Sequence, residues 1–271
     1  MKIDIQNVRC GYKGKVVVDG FSAVLSSGGV LCLLGPNGVG KTTLFKCLLG
    51  FLPLMAGGVF VDGRDMKQFK AAEYAKVVGY VPQAHAPPFS FRVFDVVLMG
   101  RTAHLEIFAQ PGPEDERIVW ECLEKLEIKH LAAQVYTEIS GGERQMVLIA
   151  RALAQGPAFL LMDEPTSNLD FGNQARVLHT ICTLAGTGLG ILMTTHQPDQ
   201  VFQCDADVSL LMPGYEHLSG SADDILTEET LRRAYGIDVA VLKARRREQV
   251  LRLCQPILPE TRGGGRKSQV I

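Results

Sequence analysis

The chain predicts an α/β fold built on a largely parallel sheet, with a helical insertion between its strands. Three observations carry that prediction. A short apolar run over residues 30–34 leads through Gly35-Pro36-Asn37-Gly38-Val39-Gly40 into Lys41-Thr42-Thr43 and an apolar helix start, which is strand, glycine loop, helix. From Ala158 onward, short apolar runs alternate with helical stretches. From Ala84 to Gln155 the strand signals stop and three helical stretches take their place.

Composition sets the bounds. With 271 residues, 46% hydrophobic and 21% charged, the chain can bury a large core as one domain or a domain with a subdomain. A formal net charge of -1 gives no general drive toward nucleic acid or an anionic membrane. The seven cysteines, at 10, 32, 47, 122, 182, 204 and 254, include no C-x-x-C pair and no histidine cluster beside them. That spacing argues for reduced thiols in a cytosolic protein and against a zinc site or disulfide framework. The first residues lack the apolar stretch of a signal peptide, and no run approaches the about 18 residues of a membrane span. A membrane role is therefore expected to go through a partner.

In chain order, residues 2–8 alternate polar and apolar as a half-buried strand does, residues 10–14 form a turn carrying Tyr12, and residues 16–18 continue as strand. Tyr12 reads as a packing residue or as a stacking platform for an adenine ring. Glycine pairs bracket a strand at 59–61, and 77–81 is another strand, ended by Pro82-Gln83. Pro87-Pro88 break the chain before helices over 93–101, 114–127 and 143–155. Strands then follow at 159–162, 190–193 and 208–212, with a helix over 172–185 and a short one after Gln197. The basic run Lys243, Arg245-Arg246-Arg247 and Arg252 reads as the solvated face of a C-terminal helix, its alternative being contact with anionic lipid headgroups. The glycine-rich, polar residues 259–271 read as a disordered tail.

The spacing G-x-x-x-x-G-K-[ST] from Gly35 to Thr42 is that of a phosphate-binding loop. Gly35, Gly38 and Gly40 let backbone N–H groups approach phosphate oxygens, and the helix start adds its own unpaired N–H groups and positive dipole end. Asn37 and Thr43 belong to the same cradle. Lys41 is a point charge for the β- and γ-phosphates, and the Thr42 hydroxyl suits Mg²⁺. Asp163-Glu164 closes the apolar run 159–162, and ligands of open α/β sheets sit at the carboxyl ends of strands. Asp163 there suits a Mg²⁺ partner through water, and Glu164 a general base for the attacking water.

Ser140-Gly141-Gly142 opens the helix that carries Met146, Ile149, Ala150 and Leu153 on one face. Beyond an ordinary serine-capped helix, this is a second possible anion receptor on a chain with one lysine-bearing loop. Two copies placed head to tail, each completing the other's site, explain both features economically.

Ile139-Ser-Gly-Gly-Glu-Arg-Gln145, Gly35 to Thr43, and Leu160 to Asp170 together resemble the ATP-binding cassette (ABC) ATPases over roughly residues 1–240. The resemblance implies a P-loop NTPase-type fold: a mixed, mainly parallel sheet core with an antiparallel β subdomain and a helical subdomain. It divides the chain into 1–83 and 156–242 for the ATP-binding core, 84–155 for the helical subdomain and 243–271 for a C-terminal extension. It implies hydrolysis of ATP with Mg²⁺, and it assigns the residues that spacing leaves open. Tyr12 is similar to the adenine-stacking aromatic, and Gln83 to the glutamine that meets Mg²⁺ and the attacking water. Ser140 and Gly142 resemble the pair that caps the γ-phosphate of the opposite copy. Asp170, after Ser167-Asn168-Leu169, resembles the loop that crosses between copies, and His196 the switch histidine that contacts the γ-phosphate and orders Glu164. Thr42, Glu143 and Asn168 replace commoner residues at their positions.

Residues 90–101 and 194–200 further resemble importer ATPases for iron chelates, haem, cobalamin and, in one branch, molybdate or tungstate. That implies a second copy of the chain, transmembrane permease subunits seated in a groove after Gln83, and indirectly a periplasmic or extracellular substrate-binding protein. No nucleic acid is implied. The place implied is peripheral, at the cytoplasmic face of the inner (plasma) membrane. The alternative is a soluble ATPase of the same class, such as an iron–sulfur cluster assembly ATPase. A single cassette disfavours the translation-factor type and the lack of a heptad insertion the DNA-repair type.

Overall fold

The computed structural model describes residues 1–83, 90–106, 109–247 and 249–258. The Pro87-Pro88 break and the tail 259–271 lie outside the described residues.

The N-terminal alternation forms β1 (Lys2–Tyr12) and β2 (Lys15–Ser26), antiparallel from Lys2 opposite Ser26 to Tyr12 opposite Lys15. β3 (Val30–Leu34) leads through the glycine loop into α1 (Lys41–Leu48). β4 (Ala56–Val61) returns to pair with β1, and β5 (Arg64–Asp65) with β4, giving a four-stranded antiparallel sheet in the order β2-β1-β4-β5. α2 (Ala71–Val77) runs directly into β6 (Val78–Val81), so Val77 ends a helix rather than starting the strand that its sequence predicts.

The insertion is helical as expected. α3 (Val93–Leu98) tightens into 3-10 turns over Met99–His104, and α4 (Pro113–Lys125) and α5 (Gly141–Ala154) follow. Pro113 at the first turn of α4 and Ser140 before α5 mark the helix starts physically, by a missing donor and by a side-chain cap. The alternation then resumes with β7 (Phe159–Met162), α6 (Phe171–Gly186), β8 (Gly190–Thr195), α7 (Pro198–Gln203), β9 (Asp207–Leu211) and β10 (His217–Ser221). α8 (Ala222–Ile225), α9 (Glu228–Tyr235), β11 (Val239–Arg246) and β12 (Gln249–Pro256) complete the described chain.

The larger sheet has the order β10-β9-β3-β8-β7-β6. It is parallel except at its β10 edge, which pairs antiparallel with β9. Its central strands are buried on both faces, as covered parallel sheets require. Alternation assigns those faces. Leu31, Leu33, Phe159, Leu161 and Leu192 pack with α1 and the antiparallel sheet, whereas Cys32, Leu34, Leu160, Met162 and Met193 pack with the helical insertion and α6. The glycine loop thus emerges at the carboxyl edge of a sheet clamped between two apolar layers.

The basic run corrects the expectation of a C-terminal helix. Residues 239–256 form a β-hairpin, with Val241 opposite Cys254 and Lys243 opposite Arg252. Residues 239–242 are apolar, Val239 and Val241 are β-branched as strands favour, and Val239 is buried against the body.

One polar tie holds the insertion together. Arg101, 8% exposed, donates to Asp115 Oδ1 at 2.8 Å and to the Ala154 carbonyl at 2.8 Å, joining the turns after α3 to the start of α4 and the end of α5. Arg101→Met is expected to cost about 2–3 kcal/mol in urea denaturation, because Asp115 is left without its cation. The guanidinium holds the Asp115 carboxyl below its usual range. Its contribution is therefore present above the ordinary aspartate pKa of about 4 and is lost as pH falls through the lower folded value. Acid titration of the wild type should show this loss, and the variant should lack it.

Candidate functional site

The loop Gly35–Gly40 has room for backbone and little else. A Cβ on Gly35 would meet the Leu211 carbonyl oxygen at 2.6 Å, and one on Gly40 would meet Val18 Cγ2 at 2.7 Å. Both residues also have positive φ, 153° and 116°. The chain therefore presses this turn between β2 and β9 while its N–H groups open α1. Lys41 follows, 6% exposed, and its Nζ donates to the Gly35 and Pro36 carbonyls at 2.6 and 3.1 Å. Burial pushes the Lys41 ammonium down, while Glu164 and Asp163 pull it back up.

Those carboxylates stand at the end of β7, one strand removed from β3 in the sheet. Thr194, fully buried near the end of β8, fixes both. Its hydroxyl donates to Asp163 Oδ1 at 2.7 Å and accepts from the Glu164 N–H at 2.8 Å. Glu164 holds φ at 45°, a left-handed conformation uncommon for this residue type, so the bond to Thr194 secures a turned backbone. Burial raises the Asp163 carboxyl and Glu164 raises it further, against the lowering pull of the Thr194 hydroxyl and Lys41. His196 Nδ1 stands 3.6 Å from Glu164 Oε1, at the exit of β8.

The next layer was not singled out from the sequence. Gln200, 2% exposed on α7, donates to Thr166 Oγ1 at 2.9 Å and to Gln197 Oε1 at 2.9 Å, and accepts from Thr195 Oγ1 at 2.8 Å. This network ties the segment after Glu164 to the segment after His196. Its signal was present as Thr194-Thr195 closing an apolar strand and Gln200 among apolar helix residues. Gln83 adds a second tie, donating to Ser167 Oγ at 2.9 Å.

Lys41, Asp163, Glu164 and His196 thus converge. Thr42, exposed, and Thr43, buried, stand beside Lys41 on the first turn of α1. Ser140, Gly142, Asp170 and Tyr12 stand apart: among the described residues no hydrogen bond or ion pair joins them to the Lys41 loop. Ser140 is occupied locally, accepting from the Glu143 N–H at 3.3 Å while its own N–H donates to Glu143 Oε2 at 2.8 Å. Gly142 abuts α6 so closely that a Cβ would lie 2.4 Å from Asn173. Asp170 caps α6 through the Asn173 N–H at 2.9 Å. Tyr12 ends β1 half-exposed.

Thr42, Gln83 and Asp163 offer oxygen donors of the kind Mg²⁺ takes. Among the described residues no group of three or more His, Cys, Asp or Glu is arranged to hold a metal ion. That donor set fits an ion that draws most of its ligands from phosphates and water. Away from this cluster, a cavity of about 800 Å³ separates the α1–α2 region from the insertion, lined by Phe51, Leu54, Met66, Tyr80, Met99 and Arg151 among others.

Comparison with known proteins gives these features a context. The family model for the ABC transporter matches residues 18–167. An uncharacterized ABC transporter ATP-binding protein of Haemophilus influenzae is 41% identical over 87% of this chain and 89% of its own length. A Helicobacter pylori protein described as a probable iron chelatin transport ATP-binding protein is 36% identical over 87% of this chain and 93% of its own. Among solved structures, an ABC transporter assigned to the metal-chelate type, in an inward-facing conformation, superposes with a TM-score of 0.85 at 33% identity, over 94% of this chain and 97% of that one. The chain therefore belongs to the ATP-binding subunits of the ABC transporter family and is an ATPase of that class.

Proposed function

We propose that this chain is the energy-coupling subunit of an ABC importer for a metal chelate, haem or a related cargo, and that two copies close on two Mg·ATP. The carboxylate of Glu164, held between His196 and the Asp163–Lys41 pair at the strand ends, carries this reading. Lys41 and the loop N–H groups hold the phosphates. Thr42, Gln83 and, through water, Asp163 would hold the metal, which would supply positive charge beside the phosphates. Glu164 orients water for in-line attack and takes its proton, and His196 fixes the Glu164 geometry. Tyr12 stacks on the adenine. Ser140 and Gly142 of the second copy complete the site, and Asp170 lies at the crossing between copies. In support, Ser140 and Gly142 are held apart from the Lys41 loop within one chain, as a site shared between two chains requires.

The same reading seats permease subunits in the cavity beside Phe51 and Met99, which are 64% and 43% exposed. No helix among the described residues is long and apolar enough to cross a membrane. In this reading the chain works at the cytoplasmic face of the plasma membrane through that contact and meets a substrate-binding protein only indirectly. Relatives support the cargo class: one is described as the H. pylori iron chelatin protein above, another as a hemin import ATP-binding protein of Gloeobacter violaceus.

Glu164→Gln is expected to keep ATP binding, lose nearly all turnover and trap a dimer on Mg·ATP in size-exclusion chromatography. Turnover at the wild-type rate would remove Glu164 from its role. Thr194→Val, which loses the hydroxyl between Asp163 and Glu164, is expected to lower kcat about 10- to 100-fold with a smaller change in nucleotide affinity. Co-expression with a candidate permease should yield a two-plus-two complex whose ATPase responds to the loaded binding protein. Phe51→Asp should dissolve that complex while leaving basal ATPase activity. Failure to associate with any permease would sink the importer reading.

A further inference from the structure

The C-terminal hairpin takes no part in the chemistry above, yet its two faces differ in kind. Val241 and Lys243, opposite Cys254 and Arg252, share one face, which meets the body through Val241, Cys254 and Arg252. There the Cys254 N–H donates to Asp199 Oδ1 at 2.7 Å, and Arg252 pairs with Asp223 at 2.7 Å and lies 5.7 Å from the Phe202 ring centre. Leu242 opposite Leu253, and Ala244 opposite Leu251, share the outward face. Leu242, Leu251 and Leu253 are 50%, 40% and 44% exposed. A two-stranded sheet with an uncovered apolar face is a surface built to be covered.

Charge identifies what covers it. Residues 243–248 carry Lys243, Arg245, Arg246 and Arg247 against Glu248 alone. Residues 222–238, which form α8 and α9 at the root of the hairpin, carry Asp223, Asp224, Glu228, Glu229 and Asp238 against Arg232 and Arg233. Root and tip are about 20 Å apart at about 3.3 Å per residue, more than twice the Debye length of about 8 Å at physiological salt. Within one chain Arg252 of the hairpin meets Asp223 and Arg232 meets Asp238, but among the described residues the tip cations Lys243, Arg245, Arg246 and Arg247 pair with no root carboxylate. An anionic bilayer would attract the tip and repel the root. Residues 259–271 carry Arg262, Arg266 and Lys267 against Glu260 and match the tip in sign. A second copy laid antiparallel matches both ends at once.

We propose that the outward face of the C-terminal hairpin is an interface with a second copy of this chain, the hairpins antiparallel so that the basic tip of each meets the acidic α8–α9 root of the other. This rests on the reading of the chain as one of a pair, but it uses a surface other than the nucleotide site and needs no nucleotide. It also reaches the switch segment. Asp199, bonded to the hairpin, follows His196 by three residues, and the Tyr235 hydroxyl donates to the His196 carbonyl at 3.3 Å. Pairing at the hairpin would hold the two copies together when γ-phosphate loss opens the nucleotide faces.

Sedimentation equilibrium of the full chain without nucleotide tests this. The wild type should form a reversible dimer that weakens with salt. Leu242→Asp with Leu253→Asp should weaken it about tenfold or more, with basal ATPase activity and circular dichroism unchanged. Arg245→Glu with Arg246→Glu should weaken it too, and adding Glu229→Lys with Asp238→Lys in the same chain should restore it. A monomeric wild type, a leucine variant that associates like wild type, or no restoration by the charge swap would overturn the proposal. So would leucine-dependent binding of the wild type to phosphatidylserine vesicles without self-association. The Glu164→Gln dimer on Mg·ATP is scored separately. Its absence alongside intact salt-sensitive pairing would sink the shared nucleotide site and leave the hairpin contact standing.

Discussion

An ammonium 6% exposed, with two carboxylates drawing its charge back toward the protonated form, is the constraint on which this molecule turns. Burying a charge costs several kcal/mol unless partners replace its water. Lys41 meets that demand with the Gly35 and Pro36 carbonyls and with the field of Asp163 and Glu164. The carboxylates can stand there only because β7 and β3 end at the same edge of one sheet, with β8 between them. The parallel sheet, covered on both faces, exists to bring those ends together; its apolar layers fix their separation.

Around that charge cluster the structure distributes control through hydroxyl and amide groups. Thr194, on the neighbouring strand, binds the Asp163 carboxylate and the Glu164 backbone N–H, so the backbone turn at Glu164 is set by β8 as much as by β7. Gln200 then joins the segment after Glu164 to the segment after His196. A buried network that is fully satisfied is stiff, and this one couples the segment after Glu164 to α7, on which the C-terminal hairpin rests. The segment after Glu164 and the C-terminal hairpin are thereby linked through a short run of bonds.

Helix starts play two roles that look alike in sequence. At α1 the loop before the helix is pressed too closely for a Cβ at Gly35 and Gly40, and the unpaired N–H groups of a helix start suit an anion. At α5 the cap is closed by Ser140 and Glu143 bonding each other. The difference lies in what packs beside each turn. β2 and β9 hold the first loop, whereas α6 presses on Gly142 at the second.

Much of the fold was legible in the chain because local chemistry dictates it. The glycine loop, the apolar runs that end in Asp163-Glu164 and at Thr195, and the serine cap of α5 each state their element through short-range sterics or periodicity. Sequence spacing likewise marked Lys41, Asp163 and Glu164, and the family resemblance His196, as site residues before they were seen to converge. Tertiary structure alone decided three things. It made Val77 helical rather than strand, because β6 is as long as its pairing with β7 allows. It turned the basic C-terminal run into a hairpin, because Val239, Val241 and Cys254 find cover only when alternate residues face the body. And it gave Thr194 and Gln200 their importance, since a hydroxyl or amide acquires a role from the groups brought opposite it, and those lie 30 or more residues away in the chain.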